Sequence, residues 1–142
     1  MSRILFFTEK VVFALSHPQK VIAWLSNTIK EENHTLVHLN IIFCSDRYLQ
    51  EKNYVYLQHD TFTDVITFDY TTLSGKVEGD LYISVERVRE NAKMLKHSFE
   101  QELYTIIVHG VLHLVGYNDH TSAEKCIMRD KEYTYVARMM AT

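Results

Sequence analysis

Two histidines, His109 and His113, stand four residues apart in the segment HGVLHLVGYNDH, residues 109–120. On a helix this spacing projects both imidazoles from one face, one turn above the other. The surrounding run IIVHGVLHLV is otherwise apolar, so the helix is expected to be buried. A buried imidazole needs a partner for each ring nitrogen. Two stacked imidazoles in an apolar helix suit a transition-metal ion, zinc above others. Gly116 then ends the helix in the left-handed conformation that a chain reversal requires. The reversal brings Tyr117, Asn118, Asp119 and His120 back toward the histidine pair, and a third ligand is expected from among them.

Gly110 lies between the two histidines. Glycine inside a helix costs about 1 kcal/mol relative to alanine, so a close approach of backbone or substrate is expected there. The spacing is similar to the zinc-peptidase pattern H-E-x-x-H-x-x-G-x-x-H, but Gly110 stands where a peptidase carries its glutamate base. Peptide hydrolysis is therefore not expected, and only Gly110→Glu is expected to create weak proteolysis. A metal at this site would still lower the pKa of a water toward ~7 and polarise a phosphoryl oxygen.

The elements that must position these residues follow from periodicity. Residues 3–8, 35–43, 61–70 and 79–85 are rich in β-branched and aromatic residues and read as strands. Pro18 opens a helix to about Glu32, with Ser16 or His17 as cap, and Ser45 opens a short one to about Lys52. Residues 86–95 form a further helix, and Ser98 to Val115 forms the long one that carries the histidines. A last helix runs from Ser122, its expected N-cap, to about Met140. The expected architecture is a single α+β domain over residues 1–142: a small mixed four-stranded sheet packed with helices, one of them a central metal-bearing helix.

Composition sets the outer limits. Of 142 residues, 46% are hydrophobic and 23% charged, which excludes intrinsic disorder. Fifteen Lys and Arg against eighteen Asp and Glu give a net charge of -3, excluding a generally basic coat but not a local basic groove. Four glycines and one proline leave no linker or repeat. Cys44 and Cys126 read as buried free thiols of a reduced compartment. Glu9 and Lys10 split the apolar opening, no cleavage site follows, and no run approaches the ~20 apolar residues of a membrane span. A cytoplasmic protein is expected.

The segment HGVLHLVGYND resembles the signature H-G-x-L-H-L-x-G-Y-D-H of the YbeY endoribonucleases. DTFTDVITF (60–68) resembles that family's D-x-P-T-D-V-L-S-F strand, and EGDLYISVERVRENA (78–92) resembles its G-D-I-x-I strand with the helix after it. The resemblance runs from about residue 36 to 138. It implies a hydrolase with one zinc ion, His109 and His113 being catalytic and metal-binding. It also implies ribosomal RNA on the small subunit as partner, in 3′-end maturation and ribosome quality control, with no membrane and no organic cofactor. The family's third histidine lies six positions after its second, a register that gives Asp119 here, with His120 as the alternative. The family's arginine in Y-R-x-K-D corresponds to Leu57.

The competing reading is a non-catalytic, zinc-binding ribosome-assembly factor. An open coordination position separates the two, because a structural zinc site is filled by protein ligands. Arg87, Arg89, Lys93 and Lys96 give one helix a basic face, but Glu86 and Glu90 interleave with them, as on an ordinary solvated helix. If RNA binds, that face is the first place for phosphate contacts. His59 and Asp60 could line the cleft, Thr61 and Thr63 could offer hydroxyls, and the seventeen aromatics are mostly expected in the core.

Overall fold

The β-branched and aromatic runs fold as strands β1 (Arg3–Glu9), β2 (Thr35–Cys44), β3 (Val65–Asp69) and β4 (Lys76–Ser84). The computed structural model describes residues 3–57 and 64–142. The sheet order is β1-β2-β4-β3, with β1, β2 and β4 parallel and β3 antiparallel to β4. This is the mixed four-stranded sheet expected. The helices are α1 (Pro18–Glu31), α2 (Asp46–Leu57), α3 (Val85–Leu95), α4 (Phe99–Leu114) and α5 (Ser122–Met140). His59, Asp60, Thr61 and Thr63, and the side chain of Leu57, lie outside the described residues.

Period-two alternation decides which face of the sheet is core. Leu39 and Ile41 of β2 and Val77, Leu81 and Ile83 of β4 are fully buried against α1, α4 and α5. On the opposite face, Leu49 of α2 covers Cys44 and Ile66 in a small second cluster. Helix α4 lies at the centre of the main core, and its Ile107, Val108, Val111 and Leu112 are fully buried. Each such side chain contributes about 1.5–3 kcal/mol. That packing offsets the cost of holding two imidazoles in the same helix.

Both ends of α4 are fixed locally. Ser98 accepts from the Gln101 N–H at its start. At its end Gly116 takes φ 105°, Gly116 N–H donates to His113 O at 3.0 Å, and Tyr117 N–H donates to Leu112 O at 3.0 Å. This is the Schellman arrangement, which satisfies the last carbonyls and turns the chain back.

Two sequence expectations need correction, and a third is settled between its alternatives. The N-cap of α5 is Thr121, one residue before Ser122, because a capping box pairs its side chain with the Glu124 N–H and the Glu124 carboxylate with its own. His17, one of the two caps expected, is the N-cap residue of α1, in a left-handed conformation and without a side-chain cap bond. Cys44 is buried, whereas Cys126 is exposed. Helix α5 presents Met128, Tyr135 and Met139 to the core, and Cys126 falls off that face.

Candidate metal centre

Helix α4 places His109 and His113 as the spacing requires, with their Nε2 atoms 3.1 Å apart. The turn after Gly116 brings Asp119 to them, its Oδ2 lying 3.5 Å from each Nε2. The outer nitrogens are also engaged. His109 Nδ1 lies 2.5 Å from the Glu132 carboxylate of α5, and His113 Nδ1 lies 2.9 Å from the Tyr117 carbonyl. Carboxylate and carbonyl oxygens only accept, so these partners place a proton on each Nδ1.

In the neutral rings both Nε2 atoms then present lone pairs toward each other and toward a carboxylate oxygen. Three acceptors converge and no donor stands between them, so the space calls for a cation. Among the described residues His109, His113 and Asp119 form the one group of this kind that could hold a metal. Burial pulls the His109 pKa down, but the Glu132 and Asp119 carboxylates outweigh it, and the net shift is upward. A metal competes with protons for His109, whose pKa is shifted upward, so metal affinity is expected to fall as pH drops through neutrality. Metal titrations at stepwise lower pH check this, and a flat profile would contradict it.

His120 is not part of this group. Its side chain is exposed, and its backbone N–H donates to the Glu124 carboxylate of the capping box at 3.1 Å. Asp119→Ala is therefore expected to release metal at moderate chelator concentration, while His120→Ala retains it. The reverse order would overturn this register.

Gly110 faces the sheet rather than the metal group. A Cβ there would come within 2.8 Å of Leu81 Cδ2 and 3.3 Å of Thr67 Cγ2. The glycine expected to mark a close approach does so, and what approaches is β4 and β3. The idea that a glutamate at this position could serve as a base is corrected accordingly.

Beside the site runs a cleft of about 720 Å³, bounded by His109, Glu132, Asp64, Glu102, Arg129 and Tyr133 among others. Burial pushes the Asp64 and Glu102 carboxyls up. Arg129 is exposed at its edge. The basic face of α3 is less available than its sequence implied. Arg87 is held by Asp46 at 3.1 Å, and Arg89 lies over the Phe99 ring.

Sequence reasoning did not find Glu132 or the role of the Tyr117 carbonyl. Glu132 sits in RDKEYTY, which reads as an ordinary charged helix face. Only the packing of α5 against α4 reveals its contact with His109, 23 residues away in sequence.

The fold and the site together define a class: a small α+β protein with a buried two-histidine helix, a carboxylate returned to it by a glycine-stopped turn, and a cleft alongside. The family model described as Endoribonuclease YbeY matches residues 7–140. The Endoribonuclease YbeY of Amoebophilus asiaticus is 51% identical over 95% of this chain and 92% of its own length. That of Cytophaga hutchinsonii is 43% identical over 91% and 90%. A solution structure from Thermotoga maritima matches with a TM-score of 0.69 and 29% identity, covering 98% of this chain and 90% of that one. This chain belongs to the YbeY endoribonuclease family.

Proposed function

We propose that this protein is a zinc-dependent endoribonuclease of ribosomal RNA maturation, holding one zinc ion with His109, His113 and Asp119. The observation that carries the reading is the convergence of three acceptor atoms, one each from His109, His113 and Asp119, a group that among the described residues does not include His120. Zinc bonds of ~2.0–2.1 Å in a tetrahedron set donor atoms about 3.3 Å apart. The separations here, 3.1, 3.5 and 3.5 Å, bracket that value. Three protein ligands leave a coordination position for water or substrate, which disfavours the reading as a purely structural zinc protein.

The ion would supply Lewis acidity toward a phosphoryl oxygen and make a water more acidic. The chain's own residues prepare for it. Glu132 and the Tyr117 carbonyl hold the Nδ1 protons, fixing both rings with Nε2 inward. The cleft beside His109 offers room for RNA, with the Arg129 guanidinium at its edge as a phosphate contact. Small-subunit ribosomal RNA as the substrate, the ribosome as the place of action and a cytoplasmic location belong to this proposal. Among the described residues no helix is long and apolar enough to cross a membrane.

The test is cleavage of a structured fragment of small-subunit ribosomal RNA by purified protein, after chelation and after zinc is returned. Chelation is expected to stop cleavage and zinc to restore it, with casein left intact throughout. Tight zinc binding without RNA cleavage would instead favour the assembly-factor reading, and metal-independent cleavage would overturn both.

A further inference from the structure

Glu32, at the end of α1, is placed against two local rules. A carboxylate at a helix C-terminus meets the negative end of the helix dipole, and its side chain is only 9% exposed. Three donors compensate. The Tyr117 hydroxyl donates to Glu32 Oε1 at 2.6 Å, Lys131 Nζ donates to Oε2 at 3.1 Å, and the Tyr135 hydroxyl donates to Oε2 as well. Local departures that are fully compensated by distant groups concentrate where function depends on them.

The partners connect this carboxylate to both histidines. Tyr117 is held at three points: its N–H on Leu112 O, its hydroxyl on Glu32, and its carbonyl on His113 Nδ1. The N–H and hydroxyl contacts restrain Tyr117, whose carbonyl in turn accepts from His113 Nδ1. Lys131 precedes Glu132, which holds His109. Simple attachment of α1 to α5 does not require Glu32. Arg138 already binds Glu31 at 2.7 Å, and the Trp24 indole N–H binds Tyr135 O at 2.8 Å. Glu32, the C-cap of α1, reaches both Tyr117 in the turn after α4 and Lys131 of α5.

We infer that Glu32 is a positioning residue for the metal centre, acting through the Tyr117 hydroxyl to orient His113 and through Lys131 to seat the turn of α5 that carries Glu132. The inference rests on the metal-binding reading above. It spans 85 residues of sequence between Glu32 and Tyr117. Partners that orient metal-binding histidines change metal affinity about 10–100-fold when lost, and Glu32 stands one step further out.

The experiment compares wild type, Glu32→Gln, Tyr117→Phe and Arg138→Ala. Three quantities are read: Co²⁺ affinity and visible absorption, the His113 tautomer by ¹⁵N NMR in metal-free protein, and the thermal midpoint. Glu32→Gln and Tyr117→Phe are expected to weaken Co²⁺ binding about tenfold, to alter its absorption bands, and to mix the His113 tautomers. Arg138→Ala breaks an ion pair at the same helix junction and is expected to leave the cobalt and tautomer readouts as in wild type. Wild-type affinity, spectrum and tautomer in both Glu32→Gln and Tyr117→Phe would overturn the inference, whatever their thermal midpoints. Should Glu32→Gln not fold, Tyr117→Phe decides, since it lacks a single oxygen. Absence of Co²⁺ binding by the wild type would defeat the metal reading, and the metal-free tautomer comparison would still decide whether Glu32 orients His113.

Discussion

His113→Ala is expected to abolish cleavage of a ribosomal RNA fragment, by on the order of 10³-fold or more, because the charge stabilisation an ion supplies to the phosphoryl oxygens goes with it. Removing one of three convergent acceptors leaves His109 Nε2 and Asp119 Oδ2, 3.5 Å apart, as a two-atom site with much weaker hold on an ion. The fold should survive. His113 is partly exposed, its neighbours Val111 and Leu112 keep their packing, and the lost bond to the Tyr117 carbonyl is worth about 1 kcal/mol. Circular dichroism of the variant should therefore match wild type while metal content falls to background. The measurement is cleavage of the same RNA by both proteins purified in parallel. Equal rates would assign the activity to a contaminant and remove its connection to this site.

Gly110→Glu is expected to unfold the protein or leave it insoluble, and to create no peptidase. A side chain there begins 2.8 Å from a methyl of Leu81, which is itself fully buried, with Thr67 at 3.3 Å. A glutamate would carry its carboxylate between α4 and the sheet, where burying an unpaired charge costs several kcal/mol. That is comparable to the whole stability of a domain of this size. Gly110→Ala is the graded form: about 1 kcal/mol gained in helix propensity against about 1–3 kcal/mol of overpacking, a net loss of up to about 2 kcal/mol. Denaturant unfolding of both variants checks the order. A soluble, folded Gly110→Glu protein would show that α4 does not press on the sheet at this position.

Much of this protein is legible in its residues alone, and the legible parts share a cause. His109 and His113 are one helical turn apart, so local geometry alone sets them together. Gly116 stops α4 because the left-handed conformation carries little penalty for glycine, and the strands are marked by runs of β-branched and aromatic residues. The resemblance to the YbeY endoribonucleases rests on those same local segments, and the match over residues 7–140 bears it out. The expected cap Ser122 is one residue late, because hydrogen-bond geometry favours Thr121, which pairs reciprocally with Glu124.

The features hidden from the sequence depend on elements that meet only after folding. Glu132, Glu32 and Lys131 look in sequence like the charged surface of ordinary helices. Their roles arise because α5 packs on α4 and the end of α1 meets the α4–α5 turn. The direction in which Gly110 faces is hidden for the same reason, since helical spacing fixes angles between residues and leaves open which neighbour lies along each angle. The sequence by itself therefore determined the two-histidine helix and the chain reversal after Gly116. Tertiary packing alone decided that Glu132 holds His109 and that Glu32 meets Tyr117, because these partners lie 23 and 85 residues apart in the chain and carry no local mark of their contact.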